Sequence, residues 1–145
     1  MTDSEIRYQT MLSKLKHRGS RLTSVRLALL RLIAVSEGHP DAAQLYRKLL
    51  EQFPTVSLAT IYKTLTLLKE EGEILEIDLH GSSRYDGNKP YPHPHMICNQ
   101  CEKIIDDEEI IFIQETSQKL KERYGFNVEH SQIVFYGLCK ECKKE

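Results

Sequence analysis

Two C-x-x-C pairs are the first residues whose type and spacing suggest chemistry: Cys98-Asn99-Gln100-Cys101 and Cys139-Lys140-Glu141-Cys142. Each short loop can present two thiolates to one zinc ion, and two such loops complete a tetrahedral site with no open position for catalysis. The 37 residues between the pairs exceed ordinary ribbon spacing, so a helix and a strand must lie inside the closed loop. Two redox dithiols or four free buried thiols are the competing readings; a structural zinc on Cys98, Cys101, Cys139 and Cys142 is the expectation. His93-Pro94-His95 is a second constellation. The prolines hold this segment extended, and in an extended chain residues two apart point the same way. Alone, H-x-H reads more simply as two surface histidines. Asp86, seven residues earlier, Asp106 beyond, and His39 between two expected helices add two carboxylates and an imidazole. Together they would make a five-donor N/O site suited to Fe(II), Mn(II), Co(II), Ni(II) or Zn(II), although sequence order does not show that they converge.

These side chains need elements to carry them. Residues 4–18 read as a polar helix with Ile6, Met11, Leu12 and Leu15 as its apolar positions, ended by Gly19. Thr23 or Ser24 caps a core helix over 24–36, and Asp41 caps a third over 42–52. Ser57 caps a fourth over 58–71, with Leu58, Ile61, Leu65 and Leu68 as one buried stripe. Leu75, Ile77 and Leu79 alternate with Glu76 and Asp78; His80 to Ser83 form a turn, and Arg84-Tyr85-Asp86 starts a return strand. Helices followed by a hairpin form a winged helix-turn-helix, with the fourth helix reading DNA.

Pro90, Pro92 and Pro94 mark a linker. The expected organisation is α+β: a winged-helix DNA-binding domain over 1–86, a hinge over 87–93, and a small α/β metal-binding dimerisation domain over 94–145. In the last of these, 96–97, 103–105, 126–128 and 132–136 read as strands and 107–124 as a helix ended by Gly125. Roughly 55 residues are marginal alone without a metal or a partner.

The chain has 145 residues, 40% apolar and 28% charged, a composition that fits one ordinary domain or two small ones. It contains no apolar run of 18 residues, which excludes a spanning helix, and its N-terminus does not read as a signal peptide. A cytoplasmic protein with reduced thiols is the expectation. Net charge is −1, but residues 1–31 carry +5 and residues 86–145 carry −3. This suggests an anionic partner for the front only, against the plainer reading of a solvated helical face.

Taken in order, Gly19-Ser20-Arg21-Leu22-Thr23-Ser24-Val25-Arg26, His39-Pro40, Ser57-Leu58-Ala59-Thr60-Ile61-Tyr62-Lys63, Ser83-Arg84-Tyr85-Asp86, His93 through Cys101, and Tyr136 through Cys142 resemble the ferric uptake regulator (Fur) superfamily of metal-dependent repressors. Each piece is weak alone; the ordered set is specific and covers about residues 10–142. Asp106, where iron-uptake regulators tend to carry Glu, makes the chain most similar to the peroxide regulator (PerR) branch.

The resemblance implies a homodimeric, DNA-binding repressor that is not an enzyme. His39, Asp86, His93, His95 and Asp106 would hold a regulatory Fe2+ or Mn2+, and His39 and His93 would be the imidazoles oxidised when iron meets hydrogen peroxide. Oxidation would release repression of oxidative-stress genes, and Mn2+ would support DNA binding without sensing. Lys63, Arg21 and Arg26 are candidates for phosphate, and Thr60 and Tyr62 for bases or backbone, with Ser57 beside them. The alternative reading of Tyr62 is partial burial on its helix flank, and that of Arg26 is a core-edge salt bridge. An iron- or zinc-responsive uptake repressor is the first alternative; a zinc hydrolase or thiol redox enzyme is the second. Two departures stand out: the stretch from Asp86 to His93 is one residue longer than the family's usual spacing, and Pro92 and Pro94 occupy places where many relatives carry ligands of an extra N/O site. That extra site is therefore expected to be absent, although His130 remains.

Overall fold

The computed structural model describes residues 2–36, 38–87 and 91–143. Contacts divide the chain into two compact units, residues 1–90 and 91–145. The expected hinge includes residues 88–90, which lie outside the described residues. Residues 91–93 group with the second unit.

The first unit carries α1 (Asp3–His17), α2 (Ser24–Val35), α3 (Ala42–Leu50), α4 (Leu58–Glu70), β1 (Leu75–Leu79) and β2 (Ser82–Asp86). Each helix starts on a side-chain cap. Thr2, Thr23, Asp41 and Ser57 accept from the backbone three residues on, and Asp41 with Gln44 forms a full capping box. Met11, Leu15, Leu29, Leu30, Leu45, Ile61, Leu65 and Leu68 close one core, each 2% exposed or less.

Two expectations are corrected here. Leu58 is 40% exposed and not part of the α4 stripe. Thr64 completes that face, giving the i, i+3, i+4, i+7 set 61, 64, 65, 68. Its hydroxyl is satisfied, donating to Thr60 O at 3.0 Å and accepting from Arg26 Nε at 3.1 Å. The wing turn is also tighter than expected. β1 and β2 pair antiparallel from Leu75↔Asp86 to Leu79↔Ser82. Only His80 and Gly81 lie between, both left-handed at φ 51° and 85°. Such a two-residue turn matches the natural strand twist.

The second unit carries β3 (His95–Cys98), β4 (Ile104–Asp106), α5 (Ile111–Tyr124) and β5 (Val134–Gly137), with sheet order β4-β3-β5. β3 pairs antiparallel with β4 and parallel with β5. Residues 107–110 are not helical. Asp107 Oδ1 accepts from Glu108 N and Glu109 Oε1 from Ile111 N, local bonds that compete with helix. Residues 126–128 form no strand and pair with none among the described residues.

Candidate metal centres and nucleic-acid interface

The sheet of the second unit explains the cysteine site. Parallel pairing of β3 with β5 places Cys98 opposite Gly137, so the two C-x-x-C loops leave the sheet side by side. Glu102, left-handed at φ 63°, closes the first loop, its N–H donating to Cys98 O at 2.9 Å. Cys142 N donates to Cys139 O in the second. All four Sγ atoms lie within 4.8 Å of one another, and Cys101 and Cys139 are 3.7 Å apart. A tetrahedron with Zn–S bonds of about 2.3 Å has S···S edges of about 3.8 Å, so the donor set fits that ion. No disulfide links them. Backbone N–H groups of Cys101 and then Cys139 aim at Cys98 and lower its thiol to about 6, making it the readiest thiolate. Cys142 beside Cys139 is pushed up to about 12 and would give up its proton to solvent as a metal binds.

The five N/O candidates fall into two groups, one in each unit. In the first, His39 Nε2 lies 3.5 Å from Asp86 Oδ2. Asp86 ends β2, and that strand end is tied to the His39 loop twice: Tyr85 N donates to Pro40 O and Arg84 Nη1 to His39 O, both at 3.0 Å.

In the second, the β3–β4 register sets His95 opposite Asp106. Asp106 Oδ1 is 3.2 Å from His95 Nε2 and 3.5 Å from His93 Nε2, and the two rings are 4.3 Å apart. His93 Nδ1 donates to Tyr91 O at 2.9 Å, which fixes the tautomer and leaves Nε2 with its lone pair. His93, His95 and Asp86 are each at most 3% exposed. Pro92 and His130 line a separate cavity of about 250 Å³.

The basic front is largely neutralised within the first unit. Arg7 and Lys14 pair with Glu73, Arg18 with Glu70 and Glu71, and Arg31 with Glu5, while Arg31 also lies over the Tyr8 ring. Arg26 bridges Thr64 and the carbonyl of Arg21. Arg21 itself is exposed. On α4, Lys63 is exposed and Tyr62 is 49% exposed. Thr60 is half-buried, and Ser57 Oγ serves as the helix cap.

Sequence reasoning missed Glu73. It is 4% exposed. Burial pushes its carboxyl up, but hydrogen bonds from Lys14 and Arg7 outweigh this and hold it below its usual value. A lone Glu after a helix-ending glycine gives no local signal of burial; its partners are 59 and 66 residues away.

Among the described residues no helix is long and apolar enough to cross a membrane. The model of the ferric uptake regulator family matches residues 17–136. The peroxide-responsive repressor PerR of Staphylococcus epidermidis is 37% identical over 135 residues, covering 92% of this chain and 89% of that protein. The structure of PerR from Streptococcus pyogenes, described as a basis for peroxide sensing and gene regulation, is 30% identical with a TM-score of 0.52, covering 94% of this chain and 92% of that one. A zinc uptake regulator complexed with zinc and DNA is 25% identical with a TM-score of 0.69, covering 98% and 96%. Four capped helices and a wing, a second unit on a three-stranded sheet, and a family match across both units lead to one conclusion: the chain belongs to the ferric uptake regulator family, whose members regulate transcription and are not enzymes.

Proposed function

We propose that this protein is a metal-dependent DNA-binding repressor that senses hydrogen peroxide through iron-catalysed oxidation of its histidine ligands, releasing repression of oxidative-stress genes. The observation that carries the reading is the pair of prepared N/O groups, His39 with Asp86 and His93 with His95 and Asp106, each held by its own unit. Three imidazoles and two carboxylates are the donor types that would suit Fe2+ or Mn2+. The four cysteines are assigned to a structural Zn2+.

Bound Fe2+ would supply reducing chemistry toward peroxide beside the imidazoles. The chain's own part is positional. Tyr91 O keeps His93 in the Nδ1–H tautomer, so its Nε2 is the donor atom. Asp106, opposite His95, orients both imidazoles of the second unit. His39 and His93 are the rings assigned to oxidation, and an added oxygen makes each a poorer ligand. His39 belongs to the first unit and His93 to the second, so each unit contributes one of the two rings.

A homodimer would translate gain or loss of the regulatory metal into a change in DNA affinity. Ile111, Phe112, Phe126, Phe135, Tyr136 and Leu138 of the second unit are each at least 38% exposed in the single chain, an apolar surface suited to a second copy. Two-fold symmetry then fixes the spacing of two α4 helices against two half-sites. Lys63, Arg21 and Arg26 are assigned to phosphate, Thr60 and Tyr62 to base edges or backbone, and Ser57 to the start of the reading helix.

The test is intact mass after peroxide treatment of the Fe2+ and Mn2+ forms, with a gel shift at stated salt alongside. One added oxygen on His39 or His93 with iron alone, and loss of the shift, is the expected result. A metal-dependent shift with no mass gain moves the protein to the iron- or zinc-responsive uptake class.

A further inference from the structure

We infer that Arg7, on the first helix, is a positioning residue for the regulatory metal: it sets the backbone that carries Asp86. The inference rests on the reading of His39 and Asp86 as ligands.

Arg7 uses all three guanidinium nitrogens within the first unit. Nε donates to Gly87 O at 2.9 Å, Nη1 to Glu73 Oε2 at 2.6 Å, and Nη2 to Glu73 O at 2.6 Å. The planar fork delivers these bonds in fixed relative directions, which a lysine cannot reproduce. Glu73 is itself held, its other oxygen taken by Lys14 Nζ at 2.8 Å. The Arg7 side chain is 14% exposed, so this anchor sits away from bulk water.

Gly87 directly follows Asp86. Its backbone presses on α2 so closely that a Cβ built there would overlap Ile33 Cγ2. The chain around Asp86 is therefore fixed on both sides. Upstream, Arg84 and Tyr85 bond the carbonyls of His39 and Pro40. Downstream, Arg7 holds the Gly87 carbonyl and the Ile33 side chain crowds the Gly87 Cα. With the peptide pinned before and after it, the Asp86 carboxylate keeps its direction beside His39 before any metal arrives. Groups that orient a ligand in this way commonly alter metal affinity by about 10–100-fold when removed. Arg7 reaches the site from 79 residues away in sequence without touching a ligand side chain.

Variants of the full-length, zinc-loaded protein separate positioning from general stabilisation. Arg7→Lys keeps a cation for Glu73 but cannot bond Glu73 and the Gly87 carbonyl together. Lys14→Gln removes the other ion pair of Glu73 and leaves Gly87 alone. Mn2+ affinity is read from the EPR signal of the free ion, and thermal unfolding is followed in parallel. Arg7→Lys is expected to weaken Mn2+ binding by about tenfold. Lys14→Gln is expected to lower the melting temperature while changing Mn2+ affinity by less than about twofold, because its bond lies off the path to Asp86. Gly87→Ala should weaken Mn2+ binding in the same direction as Arg7→Lys, because its Cβ displaces the strand end from Ile33.

Equal Mn2+ affinities for Arg7→Lys and wild type would overturn the inference, as would equal losses for Arg7→Lys and Lys14→Gln. Asp86→Asn tells the two levels apart. If it binds Mn2+ like wild type, Asp86 is not a ligand and the underlying reading fails. If it loses binding while Arg7→Lys does not, only the positioning role fails.

Discussion

With Zn2+ on the four cysteines as proposed, stripping the protein of metal should unfold the second unit and leave the first standing. Among its described apolar side chains the second unit buries only Pro94, Ile97, Cys98, Ile113 and Cys139. Its sheet has strands of four, three and four residues. Fixing that backbone costs on the order of 11–22 kcal/mol at about 1–2 kcal/mol per residue. Burying Ile97, the sheet's one buried isoleucine among the described residues, contributes about 1.5–3 kcal/mol. Zinc on a preformed thiolate site contributes about 10–16 kcal/mol, and the two favourable terms together reach the size of the cost. Without the metal a deficit of about 10 kcal/mol remains, more than an exposed apolar face can make good before a dimer exists. The assay is hydrogen exchange read by mass spectrometry on protein stripped of metal under reducing conditions. Peptides covering His95–Cys98 and Val134–Gly137 should exchange within seconds. Peptides covering Ser24–Val35 and Leu58–Glu70 should stay protected, because their core is made within the first unit. Cys139→Ser should reproduce the effect, since Cys139 is buried and 3.7 Å from Cys101. Protection of β3 and β5 in fully stripped protein would refute the reasoning, because the sheet would then be held by something other than the ion.

Two further outcomes follow from the first unit. Glu73 has its carboxyl lowered below the ordinary 4.5, so the stability it contributes is present above pH 4.5 and is lost as pH falls through its folded value. Urea unfolding at a series of acid pH values should show a shallower decline for Glu73→Gln than for wild type; identical slopes would mean that the Arg7–Glu73–Lys14 cluster does not titrate on unfolding. Lys63→Ala should weaken DNA binding uniformly across sequences and reduce the salt slope by about 1 per protomer, whereas Arg18→Ala, whose charge is already matched by Glu70 and Glu71, should leave the slope unchanged in fluorescence anisotropy at several salt concentrations.

Local signals were sufficient where the physics is local. Caps at Thr23, Asp41 and Ser57, the glycines that end helices, and the alternation over 75–79 are short-range effects, and α1 to α4 with β1 lie within a few residues of their expected bounds. Spacing alone marked the four cysteines as candidates for one site, since C-x-x-C is a bite distance along the chain, and the fold brings their sulfurs within 4.8 Å of one another. Thr64 and Leu58 traded places because a hydroxyl is welcome in a core only when a distant donor, here Arg26, meets it. Residues 126–128 have strand composition but lack a neighbouring edge, and pairing is decided by the sheet.

The amino-acid sequence by itself determined the helices, the wing, the donor types and their chemistry, because propensity, capping and ligand softness belong to individual residues and near neighbours. Only the tertiary structure decided that β3 and β5 run parallel and bring the cysteine loops together, that His95 faces Asp106, and which cations of the basic front are free. It alone shows Arg7 reaching Gly87, since that bond joins residues 80 positions apart and no local pattern records it.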